Sequence, residues 1–313
     1  MNTPLKLAPF PTTALWGGRR LKEKYGKKTD VDPLAETWEL SVRPKENSRV
    51  SGGGYDGLTL AEALEKSGER VPSPFPLLVK FIDAAKPLSV QVHPDTETAA
   101  ALGEECAKNE MWYIVEAAPD AEIIYGLADG VTAEGFSRAV LAGENMEPLL
   151  RHVPVKAGDV FHVPAGLPHA IGAGVLLAEV QENSDVTYRL YDYDRVDKNG
   201  KKRELHTEKA LRSIRDFSDE DIMRLRFSRA SAMTEDLVAD NEFFRVRRLI
   251  NAAADYPVTR GFLFAVALDG DATCVTKNGT VFLKKGEAAY FSEALSSVSI
   301  TANGTLLLAE TAK

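Results

Sequence analysis

Residues 158–174 read GDVFHVPAGLPHAIGAG. Gly158 and Asp159 form a turn signal, the run VFHV is strand-like, Pro164 ends it, Gly166 permits a tight turn, and His169 opens the next strand. The stretch is a hairpin that delivers one histidine to one side of a sheet.

Working outward, similar strand-like runs dominate the chain: AETWELSVR, LLVKFIDA, LSVQVHP, EMWYIVEA, AEIIYGLA, GVLLAEVQ and VTYRLYDYD. They are short, rich in β-branched and aromatic residues, and bounded by Gly, Pro or Asp, which predicts a mainly β protein built as an antiparallel sandwich or barrel. Two stretches break the pattern: TETAAALGEECAK after Asp95, an N-cap candidate, and TAEGFSRAVLAGENMEPLL at 132–150. Both read as helices inserted between strands. HTEKALRSIRDFSDEDIMRLRF is charged and helical or loop-like. A second β-rich block follows, with turns expected at DGD, KNG and KKGE. The boundary falls near 228–240, giving a larger unit over 1–235 and a small β unit over 236–313.

The chain has 313 residues, 44% hydrophobic and 27% charged, which is ordinary for a globular protein. A net charge of −8 argues against a nucleic-acid surface, because neutralising phosphate backbones needs a basic face. No window offers the roughly 20 apolar residues of a membrane span, and the first residues lack the apolar core of a secretion signal, so a cytoplasmic protein is expected. Two distant cysteines, Cys106 and Cys274, predict neither a disulfide framework nor a paired-cysteine metal site.

The spacing in 158–174 (Gly, five residues, Pro, one, Gly, two, His) resembles the second signature of the cupin superfamily, jelly-roll barrels in which that histidine points inward to a metal. Upstream, alternation in LSVQVHP puts Ser89, Gln91 and His93 on one face. With Glu110 after the intervening helix and His169, the chain offers two imidazoles, a carboxylate and an amide oxygen. Such a set suits a borderline divalent ion, zinc first, with a position left open for water or substrate.

Six further motifs make the resemblance closer: Trp16-Gly17-Gly18, AETWELS at 35–41, KPLSVQVHPD at 86–95, KNEMWYI at 108–114, VPAGLPHAIG at 163–172 and NSDVTYRLYDYDR at 183–195. Together they resemble the type I mannose-6-phosphate isomerases in their short bacterial form. The resemblance implies two cupin-type jelly-roll barrels with helical insertions, the C-terminal one degenerate, and one Zn²⁺ per chain on Gln91, His93, Glu110 and His169. It also implies an active-site Arg189 with Glu179, Lys108 and Ser89 close by. Longer members carry Lys-Pro-Glu around the metal glutamate, where this chain has Lys108-Asn109-Glu110, and an extra helical domain for which this chain has no room.

The implied reaction interconverts mannose 6-phosphate and fructose 6-phosphate by proton transfer through an enediol, aided by a Lewis-acid metal. Glu179 and Lys108 are the candidates for proton transfer and Arg189 for charge stabilisation. A phosphate dianion approaching an acidic protein needs a local cationic pocket, to which Lys86 and Ser89 are assigned. The expected partner is a small phosphosugar, with no nucleic acid and no membrane, and a monomer or homodimer is expected. Two other readings are a phosphosugar-binding cupin without turnover and a redox cupin, which would want iron, manganese or copper and usually three imidazoles.

The remaining histidines read more simply. His152 and His206 are solvated or capping residues. His162 either packs on its strand or faces the site. Trp16, Trp38 and Trp112 read as core rather than as sugar-stacking platforms. The C-terminal block has no histidine after His206. Setting Gly286 on Gly158 places Ser292, Ala294 and Ser297 where Pro164, Gly166 and His169 stand, so this block is expected to be metal-free and to pack on the first unit.

Overall fold

The structure is a computed structural model that describes residues 1–197, 199–228 and 234–312. Each of the eight strand-like runs of the larger unit forms a strand: Glu36–Leu40, Leu77–Asp83, Val90–Val92, Glu110–Glu116, Glu122–Leu127, Asp159–Val163, Leu176–Glu182 and Tyr188–Tyr191. The described strands assemble into antiparallel sheets of nine, seven and five strands.

The seven-stranded sheet lies in the middle. All seven positions of Leu77–Asp83 are buried because this sheet is covered on both faces. One face turns Val79, Phe81, Met111, Tyr113, Ala178 and Val180 into a core shared with Phe262, Phe264, Val266 and Leu307 of the nine-stranded sheet. The other turns Ile82, Trp112, Ile114 and Leu177 toward Ile123, Tyr125 and Ile171 of the five-stranded sheet. Each fully buried side chain of this kind contributes about 1.5–3 kcal/mol, so two continuous apolar faces fix the register of the middle sheet.

The outer face of the five-stranded sheet is covered by helices: Val90, Val92, Tyr188 and Leu190 pack with Phe136, Ala210 and Ile214. Asp95 caps the helix Thr96–Leu102 as expected, accepting from the Thr98 N–H at 2.8 Å. Thr132 caps Ala133–Leu141 in the same way. That helix is shorter than the stretch 132–150 suggests, because Gly143 adopts a left-handed φ of 74° and the chain continues into the 3₁₀ turn Glu147–Leu149.

Two features of the C-terminal block depart from expectation. DGD at 269–271 is not a turn. The strand Phe262–Thr276 runs through it with a register shift near Ala267 and pairs along Ser297–Thr311. Gly270 faces Gly304 there, and a Cβ at Gly270 would sit 1.8 Å from the Asn303 carbonyl oxygen, so the glycines serve close strand approach rather than reversal. KNG and KKGE do connect successive strands. Sheet membership also crosses the expected boundary: Leu5–Ala8 pairs with Ala288–Ser292, and Arg49–Val50 pairs with Leu5–Ala8, so N-terminal strands complete the C-terminal sheet.

Candidate active site

Cross-strand neighbours in antiparallel sheets share a face, and two such rows face each other across the inner core. In the five-stranded sheet Arg189 lies opposite Gln91, and Gln91 opposite His169. In the seven-stranded sheet Trp112 lies opposite Glu179, Glu179 opposite Lys80, and Lys80 opposite Trp38, with Glu110 two residues before Trp112. Gly166, at φ 89°, makes the turn that brings His169 onto its row, and its N–H donates to the His93 carbonyl, tying the two histidine segments together.

His93, Glu110 and His169 are all buried, and one ligand atom from each lies within 4.8 Å of the others. His93 Nε2 is 3.1 Å from Glu110 Oε1, yet both ring nitrogens of His93 and that carboxylate oxygen are buried without a hydrogen-bond partner. His169 Nδ1 donates to the Leu167 carbonyl at 2.8 Å, which fixes its tautomer and leaves the Nε2 lone pair facing inward, 3.3 Å from the Gln91 amide.

Burial, reinforced by the Lys108 charge, pushes His93 down to about 3, and burial also lowers His169. Burial alone would raise Glu110, but Lys108, whose Nζ is 2.7 Å away, and the two imidazoles hold it well below the usual carboxylate range. Neutral imidazoles and one ionised carboxylate are the donor states a divalent cation requires, and the Gln91 amide lies beside them. Buried lone pairs on His93 Nε2 and Glu110 Oε1 that accept no hydrogen bond suit a cation. These residues fit a metal.

Beside this cluster lies a cavity of ≈ 350 Å³, lined by Trp16, Glu36, Lys80, Ser89, Gln91, Lys108, Glu179, Thr187, Arg189 and Arg203 among others. Glu179 is buried, accepts from the Trp112 indole N–H at 2.9 Å, and has Lys80 Nζ at 3.4 Å. Burial, then repulsion from Glu110, raises it to about 7 against the opposing pull of Lys80 and Lys108. The same indole N–H reaches Glu110 Oε2 at 3.0 Å, so one donor bridges the carboxylate of the metal cluster and the carboxylate of the cavity. Lys80 stays charged despite burial because Glu179, Glu36 and Glu110 surround it. Arg189 donates from Nε to Ser89 Oγ at 3.3 Å and from Nη1 to the Glu204 carbonyl at 2.7 Å.

Three comparisons agree with this geometry. The model of the type I phosphomannose isomerase catalytic domain matches residues 5–136. Mannose-6-phosphate isomerase ManA of Bacillus subtilis is 36% identical over 290 residues, 91% of each chain. This chain belongs to the type I phosphomannose isomerase family. Mannose-6-phosphate isomerase of Streptococcus mutans is 42% identical over 215 residues, 67% of each chain. The crystal structure of mannose 6-phosphate isomerase from Bacillus subtilis superposes with a TM-score of 0.83 at 32% identity, covering 98% of this chain and 99% of that one.

For this family member, the residues singled out in the sequence fall as follows. Gln91, His93, Glu110 and His169 cluster together, and Ser89, Lys108, Glu179 and Arg189 line the adjoining cavity. Lys86 is exposed and is absent from that lining. His162 is half-buried and contacts the Val238 carbonyl at 2.9 Å, linking its strand to the C-terminal block. His152 lies between Glu122 and Glu147, and His206 stands at the N-cap position of the helix Thr207–Ser213 without a side-chain capping bond, accepting instead from the Arg189 N–H at 3.2 Å. Trp38 and Trp112 are core residues, and Trp16 is buried at the cavity wall.

Sequence reasoning missed Glu36, Lys80, Arg203 and the hydrogen-bonding role of Trp112. For Lys80 a signal existed: it is the one basic residue in the otherwise apolar run LLVKFI, where a charge needs a buried partner.

Proposed function

We propose that this chain interconverts mannose 6-phosphate and fructose 6-phosphate in the cavity between the five- and seven-stranded sheets, with one zinc ion held by Gln91, His93, Glu110 and His169. The observation that carries the reading is the pairing of this metal-competent cluster with Glu179, a carboxylate raised to about 7 in the same cavity. When bound, a zinc ion supplies Lewis-acid polarisation of the sugar's carbonyl oxygen.

The chain's own residues do the rest. Glu179, titrating near neutrality, is matched to accept a proton from one of the two reacting carbons and return it to the other, which passes the sugar through its enediol. Lys80 and the Trp112 N–H hold its carboxylate in place. Lys108, 2.7 Å from Glu110 and on the cavity wall, is proposed to stabilise negative charge developing on the sugar oxygens, with Arg189 adding to that stabilisation. A preorganised charge of this kind lowers a barrier by about 3 kcal/mol.

Residues 1–235 are proposed as the catalytic cupin unit and 236–313 as a metal-free cupin-like unit. The core shared by the nine- and seven-stranded sheets supports a packing role for the latter. The proposed setting is the cytoplasm, with the chain as a monomer or homodimer; among the described residues no helix is long and apolar enough to cross a membrane.

The deciding experiment is coupled-assay turnover of mannose 6-phosphate before and after chelation and zinc add-back, with His169→Ala and Arg189→Ala alongside. Chelation-sensitive activity that is lost in both variants, with metal retained in Arg189→Ala, supports the isomerase. A folded, zinc-loaded protein without turnover would leave a phosphosugar-binding cupin instead.

A further inference from the structure

After Tyr191 the chain leaves the five-stranded sheet, makes a loop in which Val196 bridges to Lys202, and returns to begin the helix Thr207–Ser213. The loop is organised around Asp192, which is 5% exposed. Its carboxylate accepts from Arg195 Nη2 at 2.5 Å, from Arg203 Nε at 2.8 Å, and from Arg203 Nη2. Arg189 stands nearby with Ser89 Oγ and the Glu204 carbonyl as its side-chain partners, and its guanidinium experiences the charges of both Arg203 and Arg195. Two guanidinium groups therefore share one buried carboxylate, and a third, Arg189, lies within its field. Asp185, another carboxylate on the cavity wall, is paired with Arg43 at 2.6 Å.

Only two of the three arginines, Arg189 and Arg203, line the cavity. Arg195 is turned to the Pro87 carbonyl and lies over the Tyr193 ring at 5.2 Å. The result is a locally cationic wall on a protein of net charge −8.

We propose that Arg203 anchors the substrate's phosphate, that Asp192 is its positioning residue, and that this pair sets the preference for a phosphorylated over a free sugar. The identity of the substrate rests on the isomerase reading above. A dianion is repelled by the global field and must be met by local positive charge; of the other cations of the cavity, Lys80 faces Glu179 and Glu36, Lys108 faces Glu110, and Arg189 is held by the Ser89 hydroxyl and the Glu204 carbonyl. Asp192 holds the Nε and Nη2 atoms of Arg203, which leaves Nη1 outside that pairing on a side chain that lines the cavity. Guanidinium N–H groups suit phosphate oxygens, and a side chain already immobilised loses little rotamer entropy on binding. The Arg203 side chain is 29% exposed, open enough to reach a ligand.

Inorganic phosphate is the probe. Zinc-loaded wild type, Arg203→Ala, Arg203→Lys and Asp192→Asn are titrated calorimetrically with phosphate. The same four proteins are then assayed with mannose 6-phosphate, phosphate serving as competitor, and with free mannose. Arg203→Ala is expected to weaken phosphate binding and raise KM for the phosphosugar by about 10- to 100-fold while kcat changes by less than about threefold. Arg203→Lys should recover part of the loss, Asp192→Asn should show a smaller rise in KM alone, and discrimination against free mannose should fall in Arg203→Ala. Phosphate affinity and KM unchanged in an Arg203→Ala protein that melts like wild type would overturn the proposal; phosphate binding only at the metal gives that same result. Should every protein fail to isomerise while Arg203→Ala still loses phosphate, the isomerase reading falls and the anchor stands.

Discussion

Glu179 and Lys80 lie directly opposite each other on adjacent strands, both buried, with carboxylate and ammonium 3.4 Å apart. The lysine pulls the carboxylate down while burial and Glu110 push it up, and the balance stands at about 7. A proton-accepting Glu179 must be ionised, so kcat should rise with pH through the Glu179 titration. Lys80→Met removes a stabilising charge and should move that limb to higher pH, with bound zinc acting in the same sense as Lys80. A pH–kcat profile of the two proteins checks the shift; an unmoved limb assigns the titration to another group.

Trp112 gives one N–H to two carboxylates, Glu110 and Glu179. Trp112→Phe keeps a ring in the core but removes that donor. Partners that orient metal ligands commonly carry about 10- to 100-fold in metal affinity. Zinc affinity measured by chelator competition should fall within that range, and kcat should fall at saturating zinc because Glu179 loses the same contact. Retention of both would make Trp112 a packing residue only.

The metal cluster should hold zinc at acid pH better than ordinary histidines would. Protons compete for a ligand only below its own titration, and burial places His93 at about 3 and lowers His169, while Glu110 is ionised well below its usual range. Dialysis at pH 5 followed by metal analysis should find zinc still bound. Zinc at a hundredfold excess over its dissociation constant should add about 2.7 kcal/mol of stability, read as a rise in Tm that His93→Ala abolishes.

Away from the cavity, Lys27 and Glu39 form a buried pair at 2.5 Å, and Lys27 also donates to the Gly286 carbonyl in the C-terminal block. Burial pushes the lysine down and the glutamate up, so the pair is held by geometry against desolvation. Lys27→Met strands the carboxylate and should cost about 3–5 kcal/mol in chemical denaturation. Adding Glu39→Gln should recover part of that loss, and neither change should alter turnover per folded molecule.

Much of this was legible in the sequence, for physical reasons. Gln91 and His93 could be found because strand alternation is strict, and His169 because the Gly, Pro, Gly, His spacing of 158–174 resembles the cupin signature. Lys80 and Glu36 were hidden because their meaning lies in cross-strand register, which joins residues 36, 80, 112 and 179 from four separate strands. Lys86 attracted notice through its closeness in sequence to Ser89, yet it is exposed. Arg203 was obscured because DKNGKKRELH reads as a solvated charged turn until Asp192 is seen to gather it. DGD misled because glycine serves reversal and close approach equally well, and only the partner strand tells which.

Lys6 and Glu287 pair at 2.6 Å although 281 positions separate them, and the strand Leu5–Ala8 depends on Ala288–Ser292 for its place in the sheet. On the ribosome, this strand therefore cannot be housed until a segment 281 positions further along the chain has been made. Until then Leu5 and Leu7 stay in water and the edge of the unfinished sheet stays open, which makes nascent and refolding chains the stage at which this protein is most exposed to self-association.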